Sequence, residues 1–277
     1  MDRVEDARRA VSAAPGRGAD GLVIRHLSTQ EEYAECVRVQ AEVWGSGFAE
    51  LVPPAILRVA QKVGGVAAGA FAPGGRMLGF VFGLTGVRGG RLVHWSDMLA
   101  VRDEARGLGI GQRLKHFQKA AVRALGVETM LWTYDPLAAR NAHLNLNVFG
   151  ARVAEYVEDM YGTETGSALH AGIGTDRFVV EWDLTDDAPR PPAPDALPAD
   201  APVVGTIAES GAPLPPVVRV AVPEDLDALL AGAPAAARRW RDETRRAFVS
   251  CLARGYRVIG FRRDAEGGRA HYWLARP

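Results

Sequence analysis

The segment Arg106-Gly107-Leu108-Gly109-Ile110-Gly111-Gln112 constrains this chain more than any other. It lies between an apolar run that reads as a strand, 92–101, and a run with helical periodicity, 112–125. Glycines at alternate positions let the chain turn sharply from strand to helix and keep side chains away from the helix start. The first N–H groups of a helix have no intrahelical partner and carry a partial positive charge, so they hold anions. Arg106 adds a fixed positive charge in front. The expectation is a pyrophosphate cradle, and the molecule presenting the pyrophosphate sets the function.

The surrounding pattern narrows the fold. Residues 1–20 are charged, rich in Ala and Gly, and without apolar rhythm, which predicts a loose tail. A short strand at 22–27 leads into Ser28-Thr29-Gln30-Glu31, a capping-box pattern with Ser28 as cap and Glu31 three residues on. The helix behind it stops at Gly45, and Pro53-Pro54 opens a second helix over 55–63. Strands at 66–71, 76–84 and 92–101 are separated by Pro73-Gly74-Gly75 and Arg88-Gly89-Gly90, both hairpin signals. After the motif helix, closed by Gly126, come a strand at 129–134, a helix at 137–148 and strands at 152–157 and 177–184.

Residues 21–184 therefore read as one domain. Residues 185–216 hold nine of the 17 prolines and read as a linker that buries little. The tail, 217–277, offers a strand at 217–222, helices at 224–230 and 235–254, and a hairpin of 256–261 with 271–274. It is too small for a core of its own, so it is expected to pack on the main domain. Within its long helix, Arg238–Asp242 and Arg239–Glu243 are spaced as i, i+4 pairs, with Trp240, Phe248 and Leu252 facing inward.

Composition bounds the partners. Lys+Arg and Asp+Glu balance at 33 each, so bulk charge directs the chain neither to nucleic acid nor to an anionic membrane. Cys36 and Cys251 have no metal-ligand or redox spacing and read as free, buried thiols of a reducing compartment. With no apolar leader and no membrane-length run, the expected location is the cytoplasm.

Two owners of the pyrophosphate fit the motif poorly. A dinucleotide fold needs Gly-x-Gly-x-x-Gly after the first strand; here the glycines run Gly107-x-Gly109-x-Gly111 after antiparallel hairpins. A P-loop needs Gly-Lys-Ser/Thr, and Gly111-Gln112-Arg113 supplies neither lysine nor hydroxyl. The motif Arg106-x-x-Gly109-x-Gly111, preceded by Leu99-Ala100-Val101, instead resembles the acyl-CoA-binding motif of the GNAT N-acetyltransferase superfamily. Asn141-Ala142 through Phe149-Gly150-Ala151 resembles the helix that follows in that fold. Three further segments, Trp132 to Leu137, Arg140 to Asn147 and Thr175 to Trp182, resemble a bacterial group of predicted GNAT proteins with a C-terminal extension.

The resemblance implies an α+β fold: a mixed, mostly antiparallel central sheet with helices on both faces, plus a small C-terminal α/β extension. It implies acetyl-CoA, or another acyl-CoA such as succinyl-CoA, as co-substrate. The acceptor would be the primary amine of a small molecule such as an amino acid, with no metal; a homodimer is compatible. In that fold the motif strand and the next strand splay apart around pantetheine. Carried over, Leu99 and Val101 offer backbone groups to pantetheine, while Arg106, Gly107, Leu108, Gly109, Ile110, Gly111 and Gln112 take the pyrophosphate. Asn141 bonds the pantetheine amides or caps its helix.

Asp97 is the candidate base, expected on one strand face with Trp95, Leu99 and Val101 from the two-residue period. The superfamily's usual thiolate acid, a tyrosine, is replaced by Leu146, which leaves Tyr134 and His143 as candidate proton donors. Trp95 and Trp132 are candidate linings of the acceptor pocket. Arg177, beside Asp176, is a candidate for a substrate carboxylate or for a local turn contact. A CoA-binding module without catalysis is the alternative that Leu146 keeps open.

Overall fold

A computed structural model describes residues 21–162, 172–185, 193–205, 213–264 and 267–276. The tail expected at 1–20 lies outside the described residues, as do 186–192 and 206–212 of the expected linker. Among the described residues the chain forms two compact units. The first comprises 21–132 and 183–185, and the second comprises 133–162, 172–182 and everything described from 193 onward.

In the first unit, β1 (Val23–His26) is followed by α1 (Gln30–Trp44) and α2 (Pro54–Lys62). Then come β2 (Val66–Phe71), β3 (Met77–Arg88), β4 (Arg91–Val101), α3 (Ile110–Arg123) and β5 (Thr129–Tyr134). The strands lie in the order β1-β2-β3-β4-β5. All neighbours are antiparallel except β4 and β5. β3 runs four residues past its expected end because Gly89 and Gly90, at φ +59° and +78°, make the turn alone.

The capping box sits one residue later than expected. Thr29, not Ser28, is the cap of α1, and Glu32, not Glu31, completes the box. Arg25 explains the shift: it grips Glu32 with two N–H groups, at 3.0 and 2.5 Å, and holds that carboxylate over the Ser28 and Thr29 amides. Burial would raise the Glu32 carboxyl, but these bonds hold it down to about 2.

The sheet of this unit is covered on both faces. Phe80, Phe82, Met98 and Ala100 join Tyr33, Cys36, Val39 and Leu57 in the core beneath α1 and α2. On the other face α3 packs against β2, β3 and β4. Cys36 is free and fully buried, and burial pushes its thiol up to about 12.

Strand β5 carries into the second unit, where the order continues β5-β7-β6. There α4 (Ala139–Ala142) runs into a π-helical turn, His143–Val148, followed by β6 (Arg152–Val157) and β7 (Arg177–Asp183). The expected helix over 137–148 thus starts late, because Asp135 Oδ1 accepts the Leu137 N–H and keeps that residue in a turn. Beyond lie β8 (Val217–Pro223), α5 (Leu226–Gly232), α6 (Pro234–Ala253), β9 (Arg257–Arg263) and β10 (Arg269–Ala275), with sheet order β8-β10-β9. The C-terminal segment shares its core with residues of 133–162 and 172–182. Phe178 meets Tyr156, Phe248 and Tyr272 edge to face and Tyr134 at a tilt, ring centroids 4.8–5.8 Å apart.

Part of the expected linker is built in. Leu197 and Ala201 pack against the fully buried Trp273, whose indole N–H donates to Pro198 O at 2.8 Å. A few apolar residues among the prolines suffice once an aromatic platform receives them.

The fold class is α+β with a mixed, mostly antiparallel sheet, as expected.

Candidate functional site

Strand β4 leaves the sheet at Arg102, which is 7% exposed and tightly held. Its guanidinium donates to Glu42 at 2.8 Å, to Glu35 at 2.7 Å and to Met77 O at 2.9 Å. This anchor escaped the sequence reading; its signal is an arginine ending an otherwise apolar strand. A 3-10 turn, Asp103–Ala105, follows, then Arg106 in extended conformation. Gly107 (φ +84°) and Gly109 (φ +70°) occupy the left-handed region, where a side chain strains the backbone. Gly109 caps α3 without any side-chain hydrogen bond. The helix therefore begins at Ile110, two residues before the expected start. The first backbone N–H to reach back into the turn is that of Arg113, to Gly109 O at 3.1 Å.

The loop is open above and tight below. A Cβ on Gly107 or Gly109 would meet nothing within 4 Å, whereas one on Gly111 would lie 3.3 Å from Leu99 Cδ2. Gly111 thus seats the helix on β4, and the two glycines before it leave the amides uncovered. Arg106 bonds Asp103 at 2.8 Å, both side chains being well exposed. Such a pair is weak.

Two irregularities of β4 shape the ground beside this loop. The parallel ladder to β5 has three pairs, Val93 with Thr129, His94 with Met130 and Trp95 with Leu131, and β4 continues for six residues past its end. The antiparallel ladder to β3 slips one residue: Phe82 faces Met98 and Gly83 faces Ser96, so Asp97 has no opposite number. Such a bulge re-aims the side chains around it.

The expected common face of Trp95, Asp97, Leu99 and Val101 is therefore corrected. His94 and Ser96 point to α3, where both bond Gln118, and Leu99 and Val101 point to α3 as well, beneath Gly111. Trp95, one residue from both His94 and Ser96, lies on the other face. Period-two alternation fails at Asp97 because the bulge inserts an extra residue. Asp97 itself is exposed, and its carboxylate accepts the Trp95 indole N–H at 3.3 Å. Crowding by surrounding protein pushes its carboxyl above the ordinary carboxylate range, and the indole bond opposes this.

Behind the bulge runs a buried polar chain that sequence reasoning missed. Lys115 Nζ donates to Ser96 Oγ (2.7 Å), which donates to Gln118 Oε1 (2.7 Å). Gln118 Nε2 bonds His94 Nε2 (3.0 Å), His94 Nδ1 bonds Thr85 Oγ1 (2.9 Å), and Thr85 donates to Gly64 O (2.7 Å). Because Thr85 gives its proton to Gly64, His94 must donate from Nδ1 and accept at Nε2. Burial, with Lys115 nearby, takes the His94 imidazole down to about 3, so it is neutral. Lys115 is 4% exposed, and burial pulls its amine well below the ordinary lysine value. Its Nζ stands 3.9 Å from the Trp132 ring centroid. Trp132 is thus a packing partner of α3, 6% exposed, rather than a pocket wall.

Tyr134, Asn141, His143 and Arg177 belong to the second unit. The Tyr134 hydroxyl is buried without a hydrogen-bond partner among the described residues, and burial raises its phenol well above the ordinary value. Asn141 is exposed on α4. His143 Nδ1 bonds Asn147 Nδ2 at 3.0 Å, and burial together with Arg263 lowers its imidazole. Leu146 is buried within the π-helical turn. Arg177 is 6% exposed, donates to Asp176 O at 2.9 Å and lies 3.6 Å from Asp135.

Asp135 also receives Arg241 of α6 at 2.5 Å, while Asp176 receives Arg245 and the Tyr156 hydroxyl. The α6 face predicted from Trp240, Phe248 and Leu252 is therefore rotated. Ala237, Arg241, Thr244, Phe248 and Cys251 are its buried residues, with Arg241 paired inside.

No protein-family model matches this chain, and no curated protein matches its sequence. Among solved structures it is similar to an N-acetyltransferase from Staphylococcus aureus Mu50, with 16% identity and TM-score 0.47 over 59% of this chain and 99% of that one. It is similar to the ribosomal-protein-S18-alanine N-acetyltransferase from Escherichia coli, with 15% identity and TM-score 0.45 over 60% and 96% of the two chains. A chain of the NatC complex bound to Gag peptide and CoA matches at 17% identity and TM-score 0.46, over 59% and 99%.

Proposed function

We propose that this protein is an acyl-CoA-dependent N-acyltransferase that moves an acyl group, most simply acetyl, to the primary amine of a small molecule such as an amino acid. The observation that carries the reading is the open, left-handed start of α3 directly after a strand whose ladder to β5 stops at three pairs. The amides of residues 107–112 suit a diphosphate, and past Trp95 the edge of β4 away from β3 has no ladder to β5, which suits the backbone around Leu99 and Val101 to a pantetheine arm. Donors fixed in advance position the thioester at little further entropic cost.

The reaction is attack of the amine nitrogen on the thioester carbonyl carbon. The new C–N bond forms, the C–S bond breaks, and the sulfur leaves as thiolate. Asp97, exposed on its bulge and with a raised carboxyl pKa, is suited to take the proton that an ammonium substrate must lose. The thiolate needs a proton from elsewhere, since Leu146 has none to give. Tyr134 and His143 are the candidates named from the sequence, and both shifts count against them: burial raises the phenol and lowers the imidazole, which makes each a weaker donor. Leu146 also favours a second reading, a CoA-binding module without turnover.

Titration calorimetry with acetyl-CoA, succinyl-CoA and NAD tests the donor, followed by a thiol-release screen against amino acids, polyamines and aminoglycosides. Binding of acetyl-CoA with turnover on at least one amine is expected. Binding of NAD alone overturns the reading, and CoA binding without turnover on any amine selects the module.

A further inference from the structure

The three-stranded sheet of the second unit has two unlike faces. Ala270, Tyr272 and Leu274 of β10 look into the aromatic core together with Val218, Val220 and Phe261. The alternate residues Arg269, His271 and Trp273 look the other way, with Arg219 opposite Trp273 and Arg262 opposite His271. This second face bounds a cavity of about 770 Å³ lined by Arg219, Arg262, Arg263, Asp264 and Arg269, with a glycine turn at 267–268.

The arginines are held, yet their charge is unspent. Arg219 and Arg262 both stand over the fully buried Trp273 ring, 5.6 and 4.9 Å from its centroid, and Arg219 Nε donates to Ala201 O at 2.5 Å. Arg269 stands 5.9 Å from the Trp240 centroid. Among the described residues none of these three arginines has a carboxylate within ion-pairing distance. Asp264, the one carboxylate of the lining, is engaged by the buried His271 at 2.9 Å, and nearby Glu224 accepts the Gly268 N–H at 2.7 Å. In a chain of zero net charge, the three unpaired guanidinium groups of this face, Arg219, Arg262 and Arg269, stand beside the single carboxylate of the lining, Asp264. They are a local excess that a bound anion relieves. Arg263, opposite Ala270, projects to the other side of the sheet.

We infer that this sheet face binds a small polyphosphate anion, the chemistry shared by inorganic diphosphate and by nucleoside di- and triphosphates. Planar guanidinium forks match phosphate oxygens two at a time. Stacking on Trp273 fixes two of the forks beforehand, which lowers the ordering cost of binding. The lining offers no aromatic ring on which a base could stack, as single-stranded nucleic acid requires. The phosphates are therefore what is recognised.

The test is a titration of the full chain followed at the arginine Nε–H resonances by NMR, which reads this face separately from the α3 loop. Diphosphate and ATP are expected to shift Arg219, Arg262 and Arg269, and adenosine to shift none. The double variant Arg262→Gln/Arg269→Gln, read at Arg219, should weaken diphosphate binding about tenfold or more. If that variant does not fold, the single variant Arg269→Gln, at an exposed strand start, should weaken binding about threefold, read at Arg262. Unmoved resonances at saturating diphosphate, or an unchanged midpoint in the folded variant, overturn the proposal. So does displacement of diphosphate by a lower concentration of a uridine oligonucleotide, which would make the face a nucleic-acid surface.

Discussion

Asp97 and Lys115 sit on opposite sides of one bulge and titrate in ways that separate their roles. The Asp97 carboxyl is raised, so as a base it is lost when pH falls through that raised value, above where an ordinary carboxylate would fail. Asp97→Asn should lower kcat/KM about 10²–10⁴-fold and remove that acidic limb. Equal turnover of variant and parent across pH would end the assignment. For Lys115 the native pKa lies below its unfolded value, so between the two the unfolded chain binds more protons and stability rises with pH. Lys115→Met should flatten that alkaline rise in urea midpoints while leaving the fold in place. A variant that keeps the wild-type slope would show that the amine is charged in the native state, held by the Trp132 ring.

Elements were legible where a local rule decides them. The strands β2 and β5 fall where short apolar runs bounded by glycine or proline turn signals put them, because turn chemistry fixes both ends. Three features were not legible. The capping box moved because Arg25 chose Glu32, a partner seven residues along. The bulge at Asp97 arises from the register between β3 and β4, which no window on one strand contains. The π-helical turn at His143–Val148 likewise has no local signature. The α3 start was legible in kind, since glycines with positive φ are the economical way to begin a helix with open amides. Gly109→Ala places a side chain at φ +70° and should cost about 1–2 kcal/mol. The same variant should weaken acetyl-CoA binding severalfold by tilting the first amides. Calorimetry showing unchanged affinity in a destabilised variant would mean that those amides do not meet the ligand.

At the scale of the whole molecule, the α+β class came with the resemblance that the glycine motif and its flanking elements carry, and the placement of the C-terminal segment was the harder part. The roles of Arg241 and Arg245 escaped the helix spacing because their partners, Asp135 and Asp176, lie far away in sequence. Sequence distance hides a pair that only folding assembles. In the structure these arginines bind α6 to the end of β5 and the start of β7, beside the Phe178 cluster. Arg241→Ala removes one of the two guanidinium groups at Asp135 and should cost about 3–5 kcal/mol, the penalty for breaking a buried pair. Arg245→Met tests the neighbouring pair through pH. Burial would raise the Asp176 carboxyl, yet hydrogen bonds from Arg245 and Tyr156 hold it below its ordinary value. A depressed carboxylate contributes stability that is present above the unfolded pKa, about 3.9, and is lost as pH falls through the folded one. The variant should therefore be less stable than the parent at pH ~7, and the gap should narrow as acid protonates Asp176. Urea unfolding at both ends of that range measures it. A gap that stays constant into acid would mean that Arg245 holds α6 by packing of its stem and not by its charge.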